Sequence, residues 1–245
     1  MLNLKKSFIL ISFIAFISCG SDEATEPVIE TKGPIHGIVN LYSSQGLPTA
    51  NSDMTINLVG TAYSLETNEQ GEYYFPSIPF GNYTLEFIKE GFGTFYKEIE
   101  HDKGFRQNGT ELVTLSLGRI SNTAIYETIP SLDNGDIKIL IVTSPVGTPT
   151  SPVYVSVFFH DEVSISNTEN SGARGPYTFS SGSTSNTITI SATQLSELGF
   201  TSGDHVYFRV YGDSFHSNSY TDENGSVVHP NGKTPGSTTM SFVLP

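Results

Sequence analysis

The chain has 245 residues, enough for one large domain or two small ones, and the usual domain size favours two. Hydrophobic residues at 37% and aromatics at 11% can fill packed cores, which argues against intrinsic disorder. The 12 basic residues stand against 25 acidic ones, and a formal charge of −13 argues against nucleic acid or an anionic lipid surface as a partner.

At the amino terminus, Lys5 and Lys6 precede the apolar run Phe8–Ile17. A basic segment followed by an apolar one of this length predicts an export signal, and the run is too short to span a bilayer well. It ends in Phe16-Ile17-Ser18-Cys19-Gly20, which resembles the bacterial lipobox, with Phe16 where Leu is usual. Cys19 is the only cysteine, so no disulfide can form within the chain, and acylation gives an otherwise unpaired thiol a role. Residues 1–18 are therefore expected to be a lipoprotein signal peptide and residues 19–33 a polar, acidic tether. Ser21-Asp22-Glu23 resembles a short form of the surface-export signal of Bacteroidota lipoproteins. The expected location is the outer membrane, lipid-anchored through Cys19 and exposed on the cell surface.

From residue 34 to 118 the chain reads as a series of short strands. Segments 34–42, 54–58, 63–67, 72–75, 81–89, 94–99 and 111–117 alternate in polarity. Ile35, Val39 and Leu41 share one face, as do Met54, Ile56 and Leu58, then Tyr83, Leu85 and Phe87, then Val113, Leu115 and Leu117. Turn-forming clusters separate them, among them Asn68–Gly71, Pro79–Gly81 and Asn108-Gly109. Residues 72–75 are expected to close a hairpin with 63–67 through Gly71, and Asn68 to bond its own backbone there. This spacing, with no long helical pattern, predicts a β-sandwich.

The residues Gly46-Leu47-Pro48-Thr49-Ala50, Ile56-Asn57-Leu58, Thr67–Tyr73, Phe75 and Ile78–Tyr83 are similar to the carboxypeptidase regulatory-like domain. That resemblance implies a transthyretin-like sandwich of seven strands and an accessory role in folding, spacing or surface contact. It does not imply peptidase activity, because His36 and His101 stand apart from any metal-binding cluster.

Residues 119–245 continue in the same style. Strands are predicted at 120–126, 136–143, 153–159, 177–179, 187–191, 205–211 and 239–244, with one helical turn over 192–198. Ile137, Ile139 and Ile141 alternate, as do Val206, Phe208 and Val210, and these rows predict a second antiparallel sandwich. Residues 203–210 weakly resemble part of a fibronectin type III domain, which implies an immunoglobulin-like fold. Val206 stands where that family places its corner tyrosine. The expected fold class is thus all-β, with two antiparallel β-sandwich domains in tandem behind a signal peptide and linker.

Two long polar stretches, Ser164–Gly175 and Ser214–Gly236, are candidate functional loops. The second holds His216, Asp222, Glu223, Asn224 and His229. Its close-set oxygens suit either calcium or an Asx-Gly hairpin turn, and Asp133-Asn134-Gly135-Asp136 shares that ambiguity. No G-x-S-x-G elbow, H-E-x-x-H helix, P-loop or C-x-x-C pair is present. His160-Asp161 and Asp204-His205 are neighbours along predicted strands and so point to opposite faces. The sequence predicts a non-enzymatic surface module that binds, adapts or spaces, with no catalytic residues, cofactor or metal and Cys19 as its lipid-attachment residue. Its expected partners are the membrane, through the lipid anchor, and a cell-surface protein or polysaccharide. With 12 Tyr and no Trp, carbohydrate binding through tyrosines is the alternative, and a hydrolase built on the two polar loops is a third reading.

Overall fold

A computed structural model describes residues 31–103, 109–133 and 135–245, and residues 31–245 form one compact unit. Cys19, the signal peptide, Asn108 and Asn134 lie outside the described residues. The first eight strands are β1 (Lys32–Tyr42), β2 (Thr55–Leu58), β3 (Ser64–Glu66), β4 (Glu72–Pro79), β5 (Gly81–Ile88), β6 (Phe95–His101), β7 (Thr110–Glu111) and β8 (Leu115–Gly118). There follow β9 (Ala124–Asp133), β10 (Asp136–Ser144), β11 (Val153–His160), β12 (Gly172–Phe179) and β13 (Ser185–Ile190). A short helix, α1 (Ala192–Ser196), precedes β14 (His205–Asp213), β15 (Tyr220–Thr221), β16 (Val227–Val228) and β17 (Met240–Val243).

The fold is all-β and built as two sandwiches. In the first, β4 pairs antiparallel with β1, whose other edge carries β7 and β8 in parallel; the facing sheet runs β3-β2-β5-β6. Between these sheets lie Ile35, Val39, Met54, Ile56, Leu58, Leu85 and Phe87, all nearly fully buried, each contributing roughly 1.5–3 kcal/mol by leaving water. The second sandwich sets β13-β10-β9 against β12-β11-β14-β17 around Ile137, Ile139, Ile141, Val155, Phe159, Val206 and Phe208.

Three sequence expectations need correction. The segment 63–75 is no hairpin: β3 pairs with β2, whereas β4 crosses to β1 in the opposite sheet. Buried Thr67 ties the chain to the β2 side through its hydroxyl and Asn51 O, and beyond it Val39 N donates to Gly71 O and draws β4 toward β1. The expected strand 111–117 is broken after Glu111, which turns Val113 out to 92% exposure and lets Leu112 pack on the core instead.

Finally, the strand expected at 120–126 begins at Ala124 and extends to Asp133. Residues 119–121 instead bond across to other segments: Arg119 N to Tyr42 O, Ile120 N to Gly91 O and Ser121 N to Asn231 O. Pro130 hides the rest of this strand in the sequence, since proline suits only an edge position, and β9 is an edge strand.

Candidate functional site

The outer face of the β3-β2-β5-β6 sheet carries the side chains that alternate with its buried rows. One rung crosses the whole sheet. Ser64 Oγ donates to Asn57 Oδ1 at 2.7 Å, Asn57 Nδ2 to Glu86 Oε2 at 2.9 Å, and Tyr96 OH to Glu86 Oε1 at 2.7 Å. The ladder registers Asn57 with Glu86 and Glu86 with Tyr96, so backbone pairing places these side chains in line. The hydrogen bond to Glu86, joined by partial burial, pushes the Tyr96 phenol up to about 12. Tyr96 therefore remains a donor throughout the physiological range.

A second element reaches this rung from far along the chain. Strands β15 and β16 pair as a hairpin, and Asp222 Oδ1 accepts from Asn224 N at 3.0 Å and Ser226 N at 2.8 Å. This is the Asx-turn alternative realised for the Asp222–Gly225 stretch. Tyr220 of the hairpin meets Phe95 edge-on at 5.7 Å and Tyr96 at 5.2 Å. Its phenol is raised by burial and by the nearby Asp222 carboxylate.

Between hairpin and sheet lies a groove of about 750 Å³, with Tyr96, Tyr220, Glu98, Asp222 and Val59 in its lining. A second hollow of about 590 Å³ adjoins it, lined by Asn82, Tyr83 and Glu100, and shares Val59, Thr84 and Glu98 with the first. Aromatic edges and carboxylates dominate this surface. Of the lining carboxylates, Asp222 already accepts from two backbone N–H groups, and Glu86, behind Tyr96 on the sheet, accepts from Asn57 and Tyr96.

The other candidate residues lie elsewhere. His216 packs at a tilt against Tyr42, 4.1 Å between ring centres, and His229 packs edge-on to Phe158 at 4.9 Å; neither lines the groove with Asp222 and Glu223. The two polar loops are structural partners of each other: Asn167 Nδ2 donates to His229 O and His229 N to Asn167 O, both at 2.8 Å. Together they cover the outer face of β11, which is why that strand is buried on both sides. At the other end of the Asp133–Asp136 stretch, Lys138 Nζ lies 2.5 Å from Asp133 Oδ2. His160 and Asp161 do meet, at 2.9 Å, because β11 ends at His160 and Asp161 is free of the strand's alternation. Among the described residues, no three His, Cys, Asp or Glu side chains gather as a metal site would require.

Sequence reasoning passed over Tyr96, Glu86, Glu98 and Tyr220. The alternation of Thr94–Ile99 does leave Tyr96 and Glu98 on the face away from the core, which was the available signal. The approach of Tyr220 across more than a hundred residues had no local sign.

No protein-family model matches the chain, and no curated protein matches it. Among solved structures it is similar to a "putative carbohydrate binding protein" from Bacteroides uniformis, at 15% identity and a TM-score of 0.32, covering 86% of this chain and 99% of that one. It is also similar to DUF3823 family proteins from Bacteroides ovatus and Parabacteroides merdae. These share 14% and 12% identity with TM-scores of 0.31 and 0.29, covering 87% of this chain and 100% of each of those.

Proposed function

We propose that this protein is a non-enzymatic module, anchored in the outer membrane through acylated Cys19 and displayed at the cell surface, that binds an uncharged carbohydrate in the groove beside Tyr96 and Tyr220. The observation that carries this reading is the pair of tyrosines held in place by the Glu86 rung and the β15–β16 hairpin. Fixed aromatic rings bordered by hydroxyl, amide and carboxylate groups offer both an apolar surface and hydrogen-bond partners, which is what a sugar presents in return. Glu86 and Asp222 serve to hold that frame, which favours binding over proton transfer. The first sandwich is read as a carboxypeptidase regulatory-like domain spanning residues 34–118, and residues 119–245 as an immunoglobulin-like domain. The Asn68–Gly71 turn and the Pro79–Tyr83 segment support the former, and the seven strands in two facing sheets the latter.

A glycan array probed with the soluble protein tests the carbohydrate reading directly. Binding to uncharged glycans that falls at least tenfold in Tyr220→Ala, with the fold retained by circular dichroism, supports it. No glycan above background refutes it. The anchor has its own test: Cys19→Ala should move the protein from the membrane fraction to the soluble one and abolish labelling by radioactive palmitate.

The hydrogen bonds that tie residues 119–121 to Tyr42, Gly91 and Asn231 favour a second reading, a spacer that holds a partner protein away from the membrane. Crosslinking on intact cells that captures one defined surface protein, with an empty glycan array, would select it.

A further inference from the structure

We propose that the two adjoining hollows act as one site for an oligosaccharide of several rings, laid along β5 and β6, rather than for a single sugar. This rests on the carbohydrate reading above and extends it. The hollows share Val59, Thr84 and Glu98, so they lie side by side along the sheet. The shared region is one rung of the β5–β6 ladder, Thr84 with Glu98, and the next rung whose side chains face the same way, Asn82 with Glu100, continues the surface in register. From Phe95 to Glu100 the strand advances by roughly 17 Å, at ~3.3 Å per residue. A single ring in contact with Tyr220 leaves most of that length empty.

The two ends differ in chemistry. At one, Tyr96 and Tyr220 present aromatic surface; at the other, Asn82 offers an amide with two donors and one acceptor, and Glu100 a carboxylate. Glu98 and Glu100 along the strand, with Asp222 and Glu223 on the hairpin, outnumber Lys97. Like charges on both sides of the groove repel uronic or sulfated sugars, so the occupant is an uncharged chain.

Titration calorimetry with gluco-, xylo- and malto-oligosaccharides of one to six units, and with galacturonate oligomers of matching length, tests the proposal. For at least one uncharged series, affinity should rise tenfold or more between one and three units and then level off. Asn82→Ala and Glu100→Gln, both at exposed positions, should remove most of that gain. Thr189→Ala, on the distant β13, serves as the control that leaves binding unchanged. Equal affinity for one and three units overturns the extended site and leaves the Tyr220 site standing. Tighter binding of galacturonate oligomers overturns the charge argument, and no binding of any sugar, with an empty glycan array, overturns both readings.

Discussion

Gly71 has φ at 81°, and a Cβ added there would come within 2.1 Å of the Val39 carbonyl oxygen. Gly71→Ala is therefore expected to cost roughly 2–3 kcal/mol, from the left-handed backbone and the displaced oxygen together, and to lower Tm by about 5–10 °C. Thermal unfolding followed by circular dichroism measures it. The role of this glycine was legible in Asn68-Glu69-Gln70-Gly71, and Asn68 Oδ1 does accept from Gln70 N and Glu72 N as the sequence implied.

The two histidines of the 214–236 segment make a second residue-scale prediction. Burial holds both His216 and His229 below the ordinary imidazole value, and Asp213 opposes part of that shift for His229. The unfolded chain thus takes up these protons first as pH falls. Their stabilising contribution is complete above about pH 6.5 and is lost as pH drops below it toward the folded-state values. Tm should decline between pH 7.5 and 5.5, and the double variant His216→Phe/His229→Phe should decline less over the same range. His229 Nδ1 is buried without a hydrogen-bond partner, so phenylalanine leaves no polar group stranded there. Nothing local to either histidine announced that burial; it arises from Tyr42 and Phe158, each far away in sequence.

At the scale of elements, strands with strict alternation were readable and those with mixed chemistry were not. The rows on β2, β10 and β14 face inward as their periodicity required, because a one-residue slip would reverse every side chain. The second half of β9 escaped notice through Pro130, and the first half of β12 through its glycines and arginine, Gly172-Ala173-Arg174-Gly175. Sheet membership was less legible still, since an arch and a hairpin use the same turn residues. The β15–β16 hairpin is short and depends on its turn. Asp222→Ala removes the acceptor for Asn224 N and Ser226 N at a half-buried site, with an expected cost of about 1 kcal/mol. The sharper expectation is local: hydrogen exchange at residues 219–228 should accelerate while β5 and β6 stay protected, and the carbohydrate affinity proposed for the groove should fall with the loosened Tyr220.

Across the whole molecule, the two cores are joined by polar and close-packed contacts that composition could not have revealed. Asn231, buried to 2% exposure, donates through Nδ2 to Gly118 O at 2.6 Å and accepts through Oδ1 from Asn218 N at 2.7 Å. Asn218 in turn donates to Ser116 O and accepts from Gly118 N, at 2.7 and 2.9 Å. Gly93 lies against Pro230 so tightly that a Cβ would come within 2.2 Å of its carbonyl oxygen. The stretch expected to be a functional loop is thus a clasp between the sandwiches. Both should unfold in a single transition, which calorimetry can establish. Asn231→Ala leaves a carbonyl and an N–H without partners, costs roughly 2–3 kcal/mol, and should split that transition in two.

Strand β1 is flanked on both edges, by antiparallel β4 on one and by parallel β7 and β8 on the other. A pull applied at Lys32 along this strand cannot peel it away one bond at a time, as it would an outer strand. It must slide the strand past both neighbours, loading their hydrogen bonds together. In mechanical terms β1 is a shear joint, and under the proposed anchoring through Cys19 it is the first strand of the described fold to take up a drag force on a surface-held polymer.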